Sequence, residues 1–380
     1  MTANVTSAVD PQTWDAFLAA QRYAPFLQSW TMGEVYKAIN QEPVRLIATE
    51  GSTITGIAFG HVVRARRGTH LSVPYGPIAN TDDAARALVT GLCDAARSHG
   101  CSFVRMSPFR PALSPLPLPP NTKFLASPLH LLAEHLWYLP LQNSDPWSPP
   151  SPQPALSRAE GEEGPGVEAG GSQLRTEDEI FKNLRSTQRN LIRRAQKEGV
   201  TITTSEDPIR DLPHFFTLHD ETRKRHGFTP YTNAFFRAQV EEFAPKKQAI
   251  LYMAHYQGEV IASSIHMHFG KETSYHHGAS THRFSKIPAS YLLQWTAICD
   301  ALKRGDNVYN FWGIAPLPTA EDPKTKNQIP KNHPFAGVTL FKTGFGGSLL
   351  ELQHCIDLPL SHSYYLTRGF EFLRKWKRGF

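Results

Sequence analysis

Cysteine is scarce: four in 380 residues, at positions 93, 101, 299 and 355, with no CxxC pair. That excludes a disulfide framework and leaves reduced structural thiols. Long apolar runs are missing too, so no segment has the ~18 consecutive apolar residues of a spanning helix. The opening MTANVTSAVD has neither the basic nor the apolar part of a secretory leader. These absences together point to a cytoplasmic protein. Several chemical signatures are lacking as well. There is no GxSxG elbow, no GxGxxG turn, and no Gln/Arg-x-x-Gly-x-Gly/Ala turn of the kind that holds coenzyme A pyrophosphate. Two histidine pairs, His266-x-His268 and His276–His277, bring no third ligand at fixed spacing. Zinc needs three or four, so no metal and no cofactor are expected.

What is present is an excess of positive charge, +6 with a pI near 9.1. It favours an anionic partner such as a nucleic acid, a nucleotide-linked substrate or a membrane surface. The length and the 40% hydrophobic content allow two packed domains. One segment stands apart. Residues 143–175 are rich in Pro, Gly, Ser and Glu, cannot bury enough surface to offset ordering, and read as a disordered insertion.

On both sides of it lies an α/β pattern. A helix over 31–39, a hairpin turning at Glu50–Ser52, a strand halted by Pro77, an amphipathic helix ending at Gly100 and the strand CSFVRMSPF precede the insertion. After it, Thr176 and Glu179 form a T-x-x-E capping box, opening a helix expected to run to Gly199. A strand, two helices, three antiparallel strands, a helix and the strand NVYNFWGI follow. That order is similar to a GNAT-type N-acyltransferase domain, and the first half gives a similar one. On the helix 176–199, Lys182, Arg185, Arg189, Arg193 and Lys197 recur at three- and four-residue steps. They would share one face, where like charges repel unless an anion meets them.

The stretch HPFAGVTLFKTGFGG, 333–347, sets Lys342 ahead of Gly344, Gly346 and Gly347. A P-loop lysine follows its glycines and leads into a helix. Here SLLELQHCIDL reads as a strand, so the stretch is no ATP cradle. With FLQSWTMGEVYKAI (26–39), VPYGPIANTDD (73–83), RNLIRRAQKEGV (189–200), ETRKRHGF (221–228), SYHHGAS (274–280), SYLLQWTAI (290–298) and NVYNFWGI (307–314), it resembles the FemABX family over most of the chain. That family transfers amino acids from aminoacyl-tRNA to the stem peptide of peptidoglycan precursors.

The resemblance implies an α/β (α+β) fold of two GNAT-like domains, the C-terminal segment returning to the first. The expected domains are 1–128 plus 350–380, and 129–349. It implies that Lys342, with Phe341 beside it, lies where the peptide amine meets the aminoacyl ester, and that Gly344 lets backbone approach substrate. A fixed ammonium there would stabilise charge on the carbonyl and ribose oxygens. The remaining substrate-binding positions implied are Lys37 (or Tyr36 in its slot), Tyr75, Arg189, Arg193, Arg225, Tyr231, Tyr275, His277 and Trp312. Ser107 stands where the family has an aspartate, and Tyr231 where it often has an arginine.

The partners implied are aminoacyl-tRNA and either lipid II or a UDP-MurNAc-peptide. Residues 364–380, with Leu366, Phe370, Leu373 and Phe380 near one helical face and five basic residues against Glu371, fit an anionic membrane surface or a packed final helix. Two rival readings are an acyl-CoA-dependent N-acyltransferase of the same fold and an inactive RNA- or membrane-binding relative.

Overall fold

A computed structural model describes residues 3–8, 10–21, 23–66, 68–143, 174–226, 231–317 and 333–378. The insertion expected over 143–175 lies almost wholly outside them. Its two ends are adjacent: Gln142 and Leu174 form an antiparallel bridge, and the Arg175 N–H donates to Leu141 O at 2.9 Å.

The first half runs β1 (Asn4–Ser7), α1 (Pro11–Ala19), α2 (Trp30–Ala38), β2 (Pro43–Glu50), β3 (Thr53–Ala65), β4 (Gly68–Pro74), β5 (Ile78–Ala79), α3 (Asp82–Ser98), β6 (Phe103–Ser107) and β7 (Leu125–Ala126). The second runs β8 (His135–Pro140), α4 (Glu177–Asn183), α5 (Ser186–Lys197), β9 (Thr201–Thr204), α6 (Pro208–His226), α7 (Asn233–Phe243), β10 (Ala249–Tyr256), β11 (Glu259–Phe269), β12 (Glu272–Ser280), α8 (Ala289–Lys303), β13 (Val308–Gly313), α9 (Ala336–Thr343) and β14 (Ser348–Glu351). β15 (Ile356–Pro359) and α10 (Ser363–Arg378) end the described chain.

Two sheets result, ordered β1-β2-β3-β4-β6-β15-β7, with β5 on β3, and β14-β8-β13-β12-β11-β10-β9. Each is antiparallel except for one parallel pair joined by a helix: β4–α3–β6 in the first, β12–α8–β13 in the second. The fold is therefore two GNAT-like units. The C-terminal segment returns to the first, since β15 inserts between β6 and β7. The return comes later than position 350. β14 still belongs to the second sheet, with Ser348 opposite Tyr138 and Glu351 opposite His135.

α3 shows how sequence makes the first unit. Thr81 accepts from the Ala84 N–H at 3.1 Å, and Ala84, Leu88, Leu92 and Ala96 are buried on one side at helical spacing. The second unit corrects an expectation. The helix over 176–199 is two helices, parted where Leu184 and Arg185 turn extended, at ψ 149° and 146°. The break is tertiary in origin: Leu184 is buried and the Arg185 N–H donates to Gly344 O at 2.9 Å. The Arg189 guanidinium fastens it by donating to the carbonyls of Lys182 (2.7 Å) and Leu184. The helical phase resets, Gln188, Ile192 and Ala195 are the buried residues of α5, and the basic stripe is not continuous.

A third core lies between the units. Trp14, Phe26, Met32, Phe59 and Tyr75 of the first meet Leu136, Phe215, Phe236, Phe243 and Ile265 of the second in one buried cluster. Lys246 also donates to Thr31 Oγ1 at 2.6 Å. An apolar junction of this kind holds the units in one arrangement.

Candidate active site

β12 and β13 pair in parallel only from Glu272–Val308 to Ser274–Asn310. Beyond that each strand carries an irregularity. β12 is bulged at His276, where Ile265 faces His277 but His266 faces Tyr275. β13 loses its register on β8 between Asn310 and Gly313, and Trp312 there adopts φ 65°, unusual for so large a residue. The Trp312 N–H donates to Asn310 Oδ1 at 2.7 Å, which holds the turn. Bulges re-aim side chains and end pairing. Here they part the two strands.

Lys342 enters the parting from α9. The residues after its glycines form the strand β14, as the sequence reading has it, but Lys342 itself lies in the last turn of a helix and is 7% exposed. Its Nζ donates to Gly313 O at 2.6 Å, on β13, and lies 5.7 Å from the centre of the Tyr275 ring, on β12. Burial lowers its pKa from 10.5 to about 7, because an ammonium loses hydration that one carbonyl and a ring face replace only in part. Burial likewise raises Tyr275, to about 12, keeping it a neutral phenol.

Gly344 follows, and its lack of a side chain serves the protein's own packing. A Cβ there would stand 1.6 Å from Gln188 Nε2. The Gln188 side chain, from α5, fills that space and donates to Phe341 O at 3.3 Å, while its Oε1 is buried without a partner among the described residues. Phe341 itself packs on Tyr291 (4.9 Å) and Phe345 (5.3 Å), away from the amine, and so holds α9 in place.

The other expected residues fall into separate groups. Toward the junction of the units, the bulge brings the rings of His276 and His277 within 3.9 Å of each other. His276 meets Trp312 (4.7 Å) and Phe26 (4.9 Å), and both its nitrogens are buried without a described partner. His277 meets Tyr231 (5.6 Å), which stacks on Phe235 (4.5 Å). Burial pushes both imidazoles down, His276 to about 3, so they are neutral. Tyr75 is fully buried against Trp312 and donates to Ala133 O at 2.7 Å.

Lys37 is turned outward, 3.9 Å from Glu34, while Tyr36 fills the inner slot and stacks on His61 at 3.7 Å. Arg189 is occupied by the α4–α5 break, and Arg193 lies over Phe181 at 5.2 Å. The Arg225 side chain lies outside what is described. Sequence reasoning missed Gln188, Asn310 and the Gly313 carbonyl. Asn310 and Gly313 lie in the NVYNFWGI block, but their roles are not readable from it, because a bulge and a glycine gap create them.

The comparisons with known proteins fit this architecture. Residues 182–321 match the family model described as an acetyltransferase (GNAT) domain. The aminoacyltransferase FemA of Staphylococcus epidermidis is 30% identical over 105 residues, which is 27% of this chain and 22% of that protein. The matched part thus spans about a fifth of the curated relative's length. The crystal structure of FemX superposes with a TM-score of 0.72 over 97% of this chain and 100% of that one, at 15% identity. L-PGS from Bacillus licheniformis gives 0.50 over 96% of each chain, at 12% identity.

Proposed function

We propose that this chain is a FemABX-type enzyme, a reading supported by the partial FemA match, the FemX-like fold and the GNAT-domain match, and that it transfers an aminoacyl group from aminoacyl-tRNA to an amine on the stem peptide of a peptidoglycan precursor. The observation that carries this is the buried amine of Lys342 at the fork of β12 and β13, with a pKa near 7. In the reaction the acceptor amine attacks the ester carbonyl carbon. A C–N bond forms, negative charge collects on the carbonyl oxygen, and the C–O bond to the ribose then breaks. The nitrogen sheds a proton and the ribose oxygen takes one. A protonated Lys342 would stabilise the oxyanion and supply the leaving oxygen's proton. A donor poised near neutral pH in a dry setting suits both tasks. Tyr275 and Gly313 hold the amine in place, and no metal enters this scheme.

The test is to incubate the protein with a pool of charged tRNAs and, in separate reactions, lipid II or a UDP-MurNAc-peptide, and to read the product mass. A stem peptide heavier by one amino-acid residue supports the reading. Acyl transfer from acetyl-CoA alone, with no product from charged tRNA, would replace it with a CoA-dependent enzyme. No transfer from either donor refutes it.

A lipid-linked acceptor is favoured by α10. Its inner side is fixed: Tyr364 is buried, Arg368 donates to Ala126 O at 2.8 Å, and Glu371 pairs with Arg105. Leu366 and Leu373 are 71% and 56% exposed. The helix is therefore packed on the first unit and still presents exposed leucines beside Arg374 and Lys375. A groove of about 850 Å³ runs between α10 and β4, with Arg66 and Arg374 among its lining residues. No helix among the described residues is long and apolar enough to cross a membrane, so this contact would be peripheral. The protein is expected to sediment with anionic vesicles at low salt and not with neutral ones. Changing Arg374, Lys375, Lys377 and Arg378 to Gln should weaken sedimentation by about 1 kcal/mol per charge without altering the melting temperature. A wild-type protein that stays in the supernatant would remove the membrane from this scheme.

A further inference from the structure

The chain crosses between the units twice, over 127–134 and 352–355, and the crossings lie side by side. The Leu352 N–H donates to Glu134 O at 2.7 Å, and the Ser127 N–H to Cys355 O at 2.8 Å. Between them sits the Glu134 carboxylate, 8% exposed, which accepts from the Cys355 N–H at 3.0 Å. Two imidazoles address this one carboxylate through the same ring atom. His130 Nδ1 and His354 Nδ1 are each 3.0 Å from it. The three ligand atoms lie within 4.8 Å of one another.

The other nitrogen of His354 decides what this arrangement needs. Nε2 is 3.0 Å from Ser127 O. A carbonyl only accepts, so Nε2 carries the hydrogen. In a neutral ring Nδ1 then offers a lone pair toward a carboxylate that has only lone pairs. A second proton on His354 would relieve that contact, and so would a cation shared by the three groups, toward which the exposed His130 can turn the lone pair of Nδ1. A histidine whose outer N–H is held by a backbone carbonyl while its inner nitrogen converges on a carboxylate is arranged as metal-binding histidines are.

We propose that His130, Glu134 and His354 bind a divalent transition-metal ion of the zinc type, which staples the two crossings together. Two imidazole nitrogens and one carboxylate oxygen suit zinc better than magnesium or calcium, which prefer oxygen. The fourth position would fall to water on the side of His130, which is 62% exposed. The ion is distinct from the transfer chemistry but close in sequence to what supports it. Ala133, one residue earlier, accepts from Tyr75 and packs against Gly313 so closely that a Cβ on that glycine would stand 2.7 Å from its own.

The experiment uses the full chain stripped with EDTA and titrated with zinc chloride, with magnesium chloride as control. Calorimetry should give one zinc per chain at micromolar affinity or better, and thermal denaturation a rise of a few degrees, with no response to magnesium. His130→Ala removes an exposed ring and should keep the wild-type circular dichroism, yet weaken zinc binding at least tenfold; His354→Ala should do the same. Absence of zinc binding by the wild type overturns the proposal and leaves a protonated His354 on Glu134. So does undiminished binding in His130→Ala, which would place the zinc on other members of the chain's 17 histidines.

Discussion

Replacing Lys342 with methionine should lower turnover by roughly two to three orders of magnitude, the scale for losing one transition-state donor, while raising the melting temperature. The two effects have one cause. The amine is held where water does not solvate it, so its charge is costly to the fold and effective in the reaction. Its pKa is 10.5 in the unfolded chain and about 7 in the folded one. Below pH 7 both states hold the proton and the folded protein bears the full burial penalty. Between 7 and 10.5 the unfolded chain alone keeps it, so stability climbs with pH. Above 10.5 neither is charged and the penalty is gone.

Methionine keeps the bulk without the charge. Its advantage should therefore be a few kcal/mol at pH 6, reduced by about 1 kcal/mol for the Gly313 carbonyl left unpaired, and it should vanish near pH 10. Denaturation at those two pH values measures it. The kinetic counterpart is a fall in wild-type rate as pH rises past about 7, where the ammonium is lost. A wild-type rate that keeps rising through this range would make Lys342 a base. Wild-type turnover in the methionine variant would remove it from catalysis.

The second large effect concerns Arg105. Its guanidinium donates to both oxygens of Asp357 (2.7 and 2.8 Å) and both of Glu371 (2.9 and 2.7 Å). Asp357 is fully buried and also accepts from Tyr364 at 3.0 Å. One side chain on β6 thus secures the returning strand β15 and the helix α10 together. Arg105→Leu would leave one carboxylate buried and another nearly so, both without their counter-charge, a loss of about 3–5 kcal/mol. The melting temperature should drop by on the order of 10 °C, and trypsin should cut within 367–378, where α10 comes loose. Adding Asp357→Asn should recover part of the loss, because the orphaned charge is removed. A single variant as stable as wild type would show the network to be idle.

How much of this the sequence carried depended on the range of the cause. α3 was legible because its apolar spacing and Thr81 cap are local. The repeated strand–helix–strand order was legible for the same reason, and it gave the GNAT-like pair. Lys342 was legible through its glycine-flanked block, but its helix was not, because FKTGFGG has the look of a strand running into a turn. The α4–α5 break was hidden, being set by Gly344, over 150 residues away. So were the partners of Lys342: a backbone carbonyl turned by a left-handed tryptophan has no signature. Arg105 meets Asp357 across 252 positions. For one slot on α2 the sequence left both Lys37 and Tyr36 open, and only the fold decides that Tyr36 takes the inward direction.

The path of the chain has a consequence for synthesis on the ribosome. β6 is complete at Ser107, but its neighbour β15 begins at Ile356. At about 5–20 residues per second, tens of seconds pass before that neighbour emerges. All of the second unit, β8 to β14, is made first and can close by itself. The first sheet meanwhile presents the free edge of β6, a template for any extended segment nearby, with Arg105 on it lacking both its carboxylates. The first unit thus waits, partly open, for β15 and α10, and a nascent-chain chaperone or rapid translation of the second unit would guard its weakest interval.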